Sequence, residues 1–367
     1  MKKNIVLTLV FVFCLLCVFI LIIITPTKDY SRSERRHLTQ FPTINSNIFE
    51  NKDFEQEFEK YSADQFPFRE QFRGVKTFVS KYVFLKKDNN DLFTVNGHIS
   101  KIDQQENDKM IDYASNLFKK VYDNYLKDAN TNVYLSIVPD KNYFLTKNNG
   151  YPSLNYENFI DKVVKNNNFM TYIDITPYLS EEDYYYTDTH WKQENIIDIS
   201  QQLVLNMQDN FISTDYVENV LDRPFDGVYK GQYALPFKQD TIKYLTSNTI
   251  NNATVYYYND MGKPVEGEIY NMNKAYGKDA YEMFLSGVAP LIKLINNSNS
   301  TDKKLILFRD SFGSSLAPLL LENYNEIIIV DLRYIQSSLL DKFIDFENSE
   351  VLFLYSTSIL NNSMSMK

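Results

Sequence analysis

Five short apolar runs, separated by stretches with helical spacing, constrain the fold of this chain most strongly. The runs are VYLSIV (133–138), YIDI (172–175), LILF (305–308), IIIV (327–330) and VLFLY (351–355). Apolar runs of this length are typical of strands that are buried on both faces. Between Trp191 and Met207, the residues Ile196, Ile197, Leu203, Val204 and Met207 share one helical face. Strands that alternate with helices predict the α/β class, with a mostly parallel sheet flanked by helices.

The stretch from about 211 to 300 breaks this alternation. It contains polar tracts such as NTINNATVYYYND, and we expect an inserted irregular or β region that could roof a cleft. A chain of 367 residues can bury a full core and form one large domain or two small ones. The expected organisation is a membrane span at 1–25, a linker at 26–50 and a folded domain at 51–367 that contains the insertion.

The amino-terminal run NIVLTLVFVFCLLCVFILIII is uncharged from Asn4 to Ile24 and is long enough to cross a bilayer as one helix. A cleaved signal peptide is the alternative, but no A-x-A-like site follows the run. Lys2 and Lys3 favour a cytoplasmic amino end, whereas the basic residues just after the span oppose it. Because long domains often cross regardless of such charges, we expect an uncleaved anchor and an extracytoplasmic body.

A second helical stretch follows the linker, at residues 54–85. Its aromatic and aliphatic residues have mixed helical spacing, and Pro67 interrupts it. The pattern predicts two helices with a bend between them. We expect a packing stem, with a membrane-surface role as the alternative.

Composition excludes several classes of function. The net charge of −9 gives no general attraction to nucleic acid, and no basic patch interleaved with aromatic residues reverses this locally. Both cysteines, Cys14 and Cys17, lie in the apolar run, so their C-x-x-C spacing indicates packing in hydrocarbon rather than a redox or metal site. The chain has no Walker A loop, no G-x-G-x-x-G and no H-E-x-x-H, so neither a nucleotide cofactor nor a metal is expected. A carboxylate-rich metal site that includes Asp188 and Asp310 is the alternative.

A serine follows the apolar run LILF in the segment RDSFGSSLAPLLLENY. Ser311 lies in a tight strand-to-helix turn, with Gly313 two residues later. A serine in this position projects its hydroxyl at the edge of the sheet, where backbone N–H groups of the turn can stabilise an oxyanion. The alternative is that the serine only caps the following helix.

Such a serine needs a general base, and the chain has three histidines. His37 lies in the linker, and His98 follows a glycine in an expected turn. Only His190 has a carboxylate, Asp188, at a spacing that puts both side chains on one side of an extended segment. The sequence therefore predicts a catalytic triad of Ser311, His190 and Asp188 at the carboxyl edge of the sheet.

The motifs of this site resemble those of a known family. RDSFG (309–313) resembles the G-D-S block of SGNH hydrolases, although Asp188 and His190 precede the serine here. With a circular permutation of the sheet, the chain resembles the DHHW family and the SGNH-like alginate O-acetyltransferases, whose hallmark is D-x-H-W. Further segments similar to the DHHW family are SERRHLTQFP (33–42), ADQFPFRE (63–70), VPDK (138–141) and DLRYI (331–335).

The resemblance implies a circularly permuted SGNH-like sheet and an enzyme that moves acetyl groups onto hydroxyls of a cell-surface polysaccharide. It also implies a multispanning membrane acyltransferase as partner, which would supply the acyl donor. The chain departs from the family pattern at Thr189, in place of a second histidine, and at Arg309, in place of the glycine of G-D-S. An esterase with the same triad, or a non-catalytic protein that binds polysaccharide or scaffolds a synthesis complex, remain alternatives.

Four further residues are candidates for oxyanion or substrate contacts: Gly313, Arg333, Tyr186 and Trp191. For Arg333 the alternative is a surface salt bridge. Tyr184, Tyr185 and Tyr186 offer aromatic faces of the kind that sugar rings contact. Trp191 is also expected in the core, where it would lock the histidine segment against the following helix.

Overall fold

The computed structural model describes residues 2–43, 52–147, 149–208, 210–259, 262–298 and 302–367. Of the predicted linker at 26–50, residues 44–50 therefore lie outside the described part. The chain divides into two compact units. The smaller unit contains Met1–Asn90 and Lys230–Phe237, and the larger unit contains Asp91–Tyr229 and Lys238–Lys367.

The smaller unit begins with the apolar run. Its elements are α1 (Lys2–Ile24), β1 (Tyr30–Ser31), β2 (Arg36–His37), α2 (Lys52–Asp64), α3 (Arg69–Phe78), which continues as a π-helical segment (Val79–Val83), and β3 (Asp88–Asn89). Within the described residues, α1 is the one helix that is long and apolar enough to span a membrane. Cys14 and Cys17 lie in α1 and are not disulfide-bonded.

Polar contacts fasten the segment after α1 to the bend between α2 and α3. Asp64, at the end of α2, accepts hydrogen bonds from both terminal nitrogens of Arg36 at 2.8 and 2.6 Å and from the Thr39 N–H at 2.9 Å. Arg69, at the start of α3, donates to Glu34 at 2.5 Å. The two segments that resemble the DHHW family at 33–42 and 63–70 are therefore joined by ion pairs. The helix breaks at Pro67, as predicted, and Phe68 has a positive φ of 58°.

The apolar side chains of α3 and its π-helical continuation face outward. The exposed set is Phe68, Phe72, Val75, Phe78, Tyr82, Val83, Phe84 and Leu85. A packing stem, as expected from the sequence, would bury these side chains. In the structure they are exposed. The helical spacing is present, but no apolar layer covers it among the described residues.

The larger unit is built on an eight-stranded sheet. Its first elements are β4 (Leu92–Val95), β5 (His98–Lys101), α4 (Asp108–Val121), β6 (Asn132–Val138), α5 (Asn142–Leu145), α6 (Tyr156–Asn166), β7 (Thr171–Tyr172), α7 (Ile197–Met207) and β8 (Val217–Phe225). After α8 (Val228–Tyr233), which runs into the smaller unit, come β9 (Asp240–Thr246), α9 (Asn248–Asn252), β10 (Thr254–Tyr257), β11 (Val265–Gly267), α10 (Met272–Ala275) and β12 (Leu291–Ile295). The chain ends with β13 (Lys304–Arg309), α11 (Phe312–Leu320), β14 (Glu326–Val330), β15 (Ser349–Ser356) and α12 (Thr357–Leu360).

The sheet order is β11-β10-β12-β14-β13-β15-β6-β7. The five strands from β14 to β7 are parallel, and β12, β10 and β11 continue the sheet in antiparallel pairs. The predicted α/β class, with a mostly parallel sheet, is confirmed. Part of the stretch at 211–300, predicted as an insertion, joins this sheet, which its polar tracts did not indicate.

Alternate residues of the central strands pack against helices on opposite faces of the sheet. On β13, Leu305 and Leu307 belong to the apolar layer that includes α7 and α11. Ile306 and Phe308 belong to the layer that includes α4 and α6. All four side chains are fully buried. A strand with apolar residues on both sides can be stabilised only between two layers, which explains the continuous apolar run.

The helix expected from Trp191 to Met207 begins later than its spacing predicts. A β-bridge joins Trp191 to Tyr184, a 3₁₀ turn covers Gln193–Asn195, and α7 starts at Ile197. The side chains of Trp191 and Gln193 both bond to Ser315 in α11. These tertiary bonds hold the first residues of the segment away from helical geometry.

Candidate active site

Polar residues follow four of the parallel strands at their shared carboxyl edge. Ser311 lies two residues beyond β13, and Asp331 directly follows β14. Ser356 ends β15, and Lys141 lies just beyond β6. Ligands of parallel sheets bind at this edge, because the loops there converge and the helix N-termini point toward it. The predicted site residues lie in this region of the larger unit.

The serine turn is fixed by Asp310. One carboxylate oxygen accepts from the Phe312 N–H at 3.0 Å, and the other accepts from the Ser356 N–H at 2.8 Å, which ties the turn to the neighbouring strand. The Ser311 side chain makes no capping hydrogen bond to α11. Within the described residues, the Ser311 N–H also has no hydrogen-bond acceptor. The capping alternative therefore does not describe this serine.

Ser311, His190 and Asp188 form one hydrogen-bonded chain. His190 Nε2 lies 2.8 Å from Ser311 Oγ, and His190 Nδ1 lies 2.7 Å from Asp188 Oδ1. Asp188 is 1% exposed, and its other oxygen accepts from the Val228 N–H at 2.9 Å. A carboxylate held in this way fixes the orientation of the imidazole. His190 is 13% exposed and can accept the serine proton.

Within the described residues, neither of the other two histidines forms a hydrogen bond with Ser311. His37 lies on β2 in the smaller unit and is exposed. His98 is fully buried, and burial together with the charge of Lys141 lowers its pKa to about 3. A histidine with such a low pKa binds a proton weakly at neutral pH.

A buried lysine holds the backbone of the aspartate segment. Lys141 Nζ donates to the carbonyl oxygens of Asp188 at 2.7 Å and Tyr185 at 3.1 Å. Burial lowers the pKa of Lys141 to about 7, although the charge of Asp188 opposes this shift. The residue belongs to VPDK (138–141), which the sequence marked only by resemblance to the DHHW family. From its position just after β6, this lysine reaches the backbone carbonyls of the aspartate segment.

Trp191 and Gln193 dock the histidine segment onto the serine helix. The Trp191 indole N–H donates to Ser315 Oγ at 2.9 Å and to the Phe312 carbonyl at 3.1 Å, and its side chain is fully buried. Gln193 donates to the Ser315 carbonyl at 2.8 Å. The tryptophan therefore lies in the core and locks the segment, as expected, and it has no surface that a substrate could contact.

Tyr281 is a contact that the sequence did not indicate. Its ring stacks on the His190 imidazole with centroids 3.9 Å apart and an interplanar angle of 10°. Its hydroxyl lies 2.9 Å from Ser315 Oγ. Tyr281 comes from the polar stretch at 211–300 of a chain with 28 tyrosines, so no local signal distinguished it.

The remaining candidates have defined positions. The Gly313 N–H donates to the Asp310 carbonyl at 3.2 Å and is therefore engaged within the turn. A Cβ at Gly313 would lie 2.7 Å from the Arg309 Cβ, so this glycine makes room for the arginine. Tyr184 and Tyr185 are fully buried, and only Tyr186 of the three tyrosines is accessible. The ring of Tyr186 lies 3.4 Å from the Lys238 ammonium.

Arg333 and Arg309 share one buried carboxylate. Arg333 binds Asp331 through two nitrogens at 2.9 and 2.6 Å, and Arg309 Nη1 lies 3.6 Å from the same carboxylate. Asp331 is fully buried and Arg333 is 16% exposed. The salt-bridge alternative for Arg333 is therefore observed, but the pair is largely buried rather than on the surface.

A polar cavity of about 330 Å³ lies beside the aspartate segment in the larger unit. Its lining includes Thr189, Lys141, Asp140, Tyr229 and Asn362. Thr189 lies between Asp188 and His190 in sequence, but the lining of this cavity includes neither of them, nor Ser311. Its lining offers hydroxyl, amide and carboxylate groups that hydrogen-bond to polar ligands.

Comparison with known proteins assigns the fold. No protein-family model matches this chain, and no curated protein matches it. The chain is similar to the crystal structure of a DHHW family protein from Eubacterium siraeum, with a TM-score of 0.59, 19% identity and coverage of 76% of this chain and 95% of that chain. It is also similar to Bacillus cereus PatB1 with a sulfonyl adduct, with a TM-score of 0.57, 18% identity and coverage of 75% and 97%. A second PatB1 structure gives a TM-score of 0.56 at 18% identity, with coverage of 74% and 97%.

The fold and the site together define an α/β protein with a serine–histidine–aspartate chain at the carboxyl edge of its sheet. Its architecture is that of the DHHW family protein, and the resemblance predicted from D-x-H-W and RDSFG is confirmed at the level of the fold. At these sequence identities the likeness establishes the fold alone.

Proposed function

We propose that this protein is a membrane-anchored acyltransferase that moves acetyl groups onto hydroxyls of a cell-envelope polysaccharide. The observation that carries the proposal is the hydrogen-bonded chain from Asp188 through His190 to Ser311. A serine hydroxyl becomes a strong nucleophile when a positioned base takes its proton, and the carboxylate stabilises the imidazolium that forms.

The reaction has two halves. Ser311 Oγ attacks the carbonyl carbon of an acyl donor while its proton passes to His190 Nε2, which then gives this proton to the leaving group as the donor bond breaks. A sugar hydroxyl next loses its proton to His190 and attacks the acyl-enzyme. The new ester forms, and the proton returns to Ser311. The Ser311 N–H is a candidate donor to the oxyanion of both tetrahedral intermediates.

Three further observations support parts of this proposal. The fold relative PatB1 carries a sulfonyl adduct in one structure, and sulfonyl electrophiles react with activated hydroxyls. The polar cavity lined by Thr189 and Tyr229 offers hydroxyl, amide and carboxylate groups of the kind that bind sugar hydroxyls. The apolar helix α1 suits an anchor, with the body outside the cytoplasm and a multispanning membrane acyltransferase as the source of acyl groups.

The test uses the full chain in detergent, incubated with p-nitrophenyl acetate and followed by intact mass. We expect an acetyl adduct on wild type that maps to Ser311, disappears in Ser311→Ala and is strongly reduced in His190→Ala. Ser314→Ala is the matched control, because this neighbouring serine is buried in the same helix and should keep the adduct. Folded wild type with neither adduct nor turnover above Ser311→Ala would contradict the proposal.

The acceptor is tested in the same assay. Release of the acetyl group that accelerates on addition of oligosaccharides, with transfer of acetyl to the sugar, supports the transferase. Equally fast release to water without an acceptor assigns an esterase with the same triad. The two outcomes differ in how well the acyl-enzyme excludes water.

A further inference from the structure

The outward face of α3, its π-helical continuation and the residues that flank them carries a group of exposed apolar side chains. Seven of its side chains are 56–79% exposed: Phe68, Phe72, Val75, Tyr82, Val83, Phe84 and Leu85. Phe68, Phe72, Val75 and Tyr82 are spaced by four, three and seven residues, so they lie on one side of a helix. Contiguous exposed apolar surface of this kind marks an interaction site.

The segment that carries this face is basic, although the whole chain is acidic. Residues 69–87 contain six basic residues and one acidic residue, whereas the net charge of the protein is −9. Of the six, Arg69 and Arg73 form ion pairs with Glu34 and Glu70, so the remaining positive charge comes from four lysines. Lys86 and Lys87 directly follow the apolar cluster that ends at Leu85. Aromatic and aliphatic side chains on one face, bordered by lysine and arginine, are the signature of a helix that lies in the interface of an anionic membrane.

The inner side of α3 is held by the rest of the smaller unit. Thr77 is buried, and Arg73 donates to the carbonyls of Gly231 at 3.0 Å and Gln232 at 3.1 Å. Lys81 donates to the Tyr233 hydroxyl at 2.8 Å. The helix is therefore fixed in rotation, and its apolar side remains outward.

The chain also keeps this face close to the end of α1. Lys28 follows Ile24 by four positions, which an extended chain spans in at most roughly 14 Å. The Lys28 N–H donates to Gln65 Oε1 at 2.9 Å, and Gln65 Nε2 returns a bond to the Lys28 carbonyl at 2.9 Å. Gln65 lies at the bend that starts α3. If α1 crosses a bilayer, the first turn of α3 therefore lies within reach of the headgroup layer.

We propose that this face of residues 68–85 docks on the surface of an anionic lipid bilayer, with its aromatic side chains at the boundary between headgroups and acyl chains. The docked helix adds a second membrane contact to the span and fixes the orientation of the smaller unit on the membrane. This inference goes beyond acyl transfer and does not depend on the activity of Ser311.

The test uses the full chain in lipid nanodiscs with single nitroxide labels, read by their collision rates with oxygen and with a water-soluble nickel chelate. Labels replace Phe72, Val75 or Tyr82 in a Cys14→Ser, Cys17→Ser background. Asp345, exposed in the larger unit, carries the aqueous reference label. A label on the native Cys14, with Cys17→Ser, reports separately on the span. We expect the three face labels to lose nickel collisions and gain oxygen collisions relative to position 345 in nanodiscs that contain phosphatidylglycerol.

Two results would overturn the proposal. The first is an immersed Cys14 label together with face labels that stay as accessible to nickel as position 345, which would retain the anchor and assign the face to a protein partner. The second is an unchanged depth of the face labels in the double variant Lys86→Gln/Lys87→Gln in anionic nanodiscs. If the lysines attract the face to anionic lipid, their removal must make the immersion of the face labels shallower. Immersion that weakens in this double variant supports the proposal.

Discussion

The two units of this protein distribute polarity in opposite ways. In the larger unit, apolar side chains fill both sides of the sheet, and the polar groups of the site are buried among them with defined partners. In the smaller unit, ion pairs such as Arg36–Asp64 and Arg69–Glu34 join the segments, while the aromatic side chains of α3 face outward. The first arrangement suits a rigid site, since a dry core fixes side-chain positions. The second suits a unit whose apolar surface is covered by something outside the chain.

The comparison predicts that removing a well-bonded aspartate lowers the rate of acetyl transfer in the larger unit but not in the smaller unit. Asp188→Asn should lower the rate of acetyl transfer by about 10³ to 10⁴-fold, because an amide cannot hold the imidazole in the required tautomer. Asp64→Asn, which removes a carboxylate with at least as many hydrogen bonds, should leave the rate within about twofold. Steady-state kinetics on variants with unchanged circular dichroism would decide this. Equal losses in the two variants would break the comparison.

Replacing an aromatic side chain should lower the free energy of unfolding more in the larger unit than on the outward face of the smaller unit. Trp191→Phe removes an N–H donor to Ser315 and leaves a gap beside α11, so we expect the free energy of unfolding to fall by about 2–3 kcal/mol. Phe72→Ser, on the outward face, should change it by less than about 0.5 kcal/mol in detergent. Urea titration followed by circular dichroism measures both. A loss for Phe72→Ser as large as that for Trp191→Phe would mean that the α3 face is part of a core.

Acid should destabilise the units in different pH windows. The folded pKa of His98, about 3, lies below its unfolded value near 6.5, so the unfolded state binds more protons and stability falls as pH drops below about 6.5. At pH 5 the loss should be about 2 kcal/mol relative to pH 7.5, and His98→Phe should remove it. In the smaller unit, the guanidinium of Arg36 holds the pKa of Asp64 below its ordinary value, so that contribution is lost only as pH falls below about 4.

Unfolding curves of wild type and His98→Phe at pH 7.5 and pH 5 test this prediction. The positive charges of Lys141, Lys192 and Lys238 all lower the pKa of His98. Burial lowers the pKa of Lys141 to about 7, so this lysine gains a proton over the same range and its charge reinforces the expected loss. A pH dependence that is the same in both proteins would show that His98 is not the group that titrates.

The sequence by itself determined the features that depend on local pattern. Four of the five continuous apolar runs (133–138, 305–308, 327–330 and 351–355) specified strands, whereas the run at 172–175 shares only Tyr172 with β7. Pro67 specified the bend, and the spacing in Asp188-x-His190 placed an imidazole beside a carboxylate. Ser311 was indicated by its place in a strand-to-helix turn, three residues after the apolar run LILF, with capping of the helix as the alternative. The small number of histidines identified His190 as the candidate base, since only one of the three had a carboxylate partner at the required spacing.

Only the tertiary structure decided the contacts between distant segments. Tyr281 stacks on His190 across 91 positions of sequence, and Lys141 reaches the carbonyl of Asp188 across 47. Such pairs depend on how the sheet brings loops together, and neither residue differs locally from the many other tyrosines and lysines. The late start of α7 has the same origin, because Trp191 and Gln193 gain more from bonds to Ser315 than from continuing a helix. In the sequence, α3 has the spacing of an ordinary amphipathic helix. Only the exposure of its apolar side chains in the structure shows that no described part of the chain covers this face.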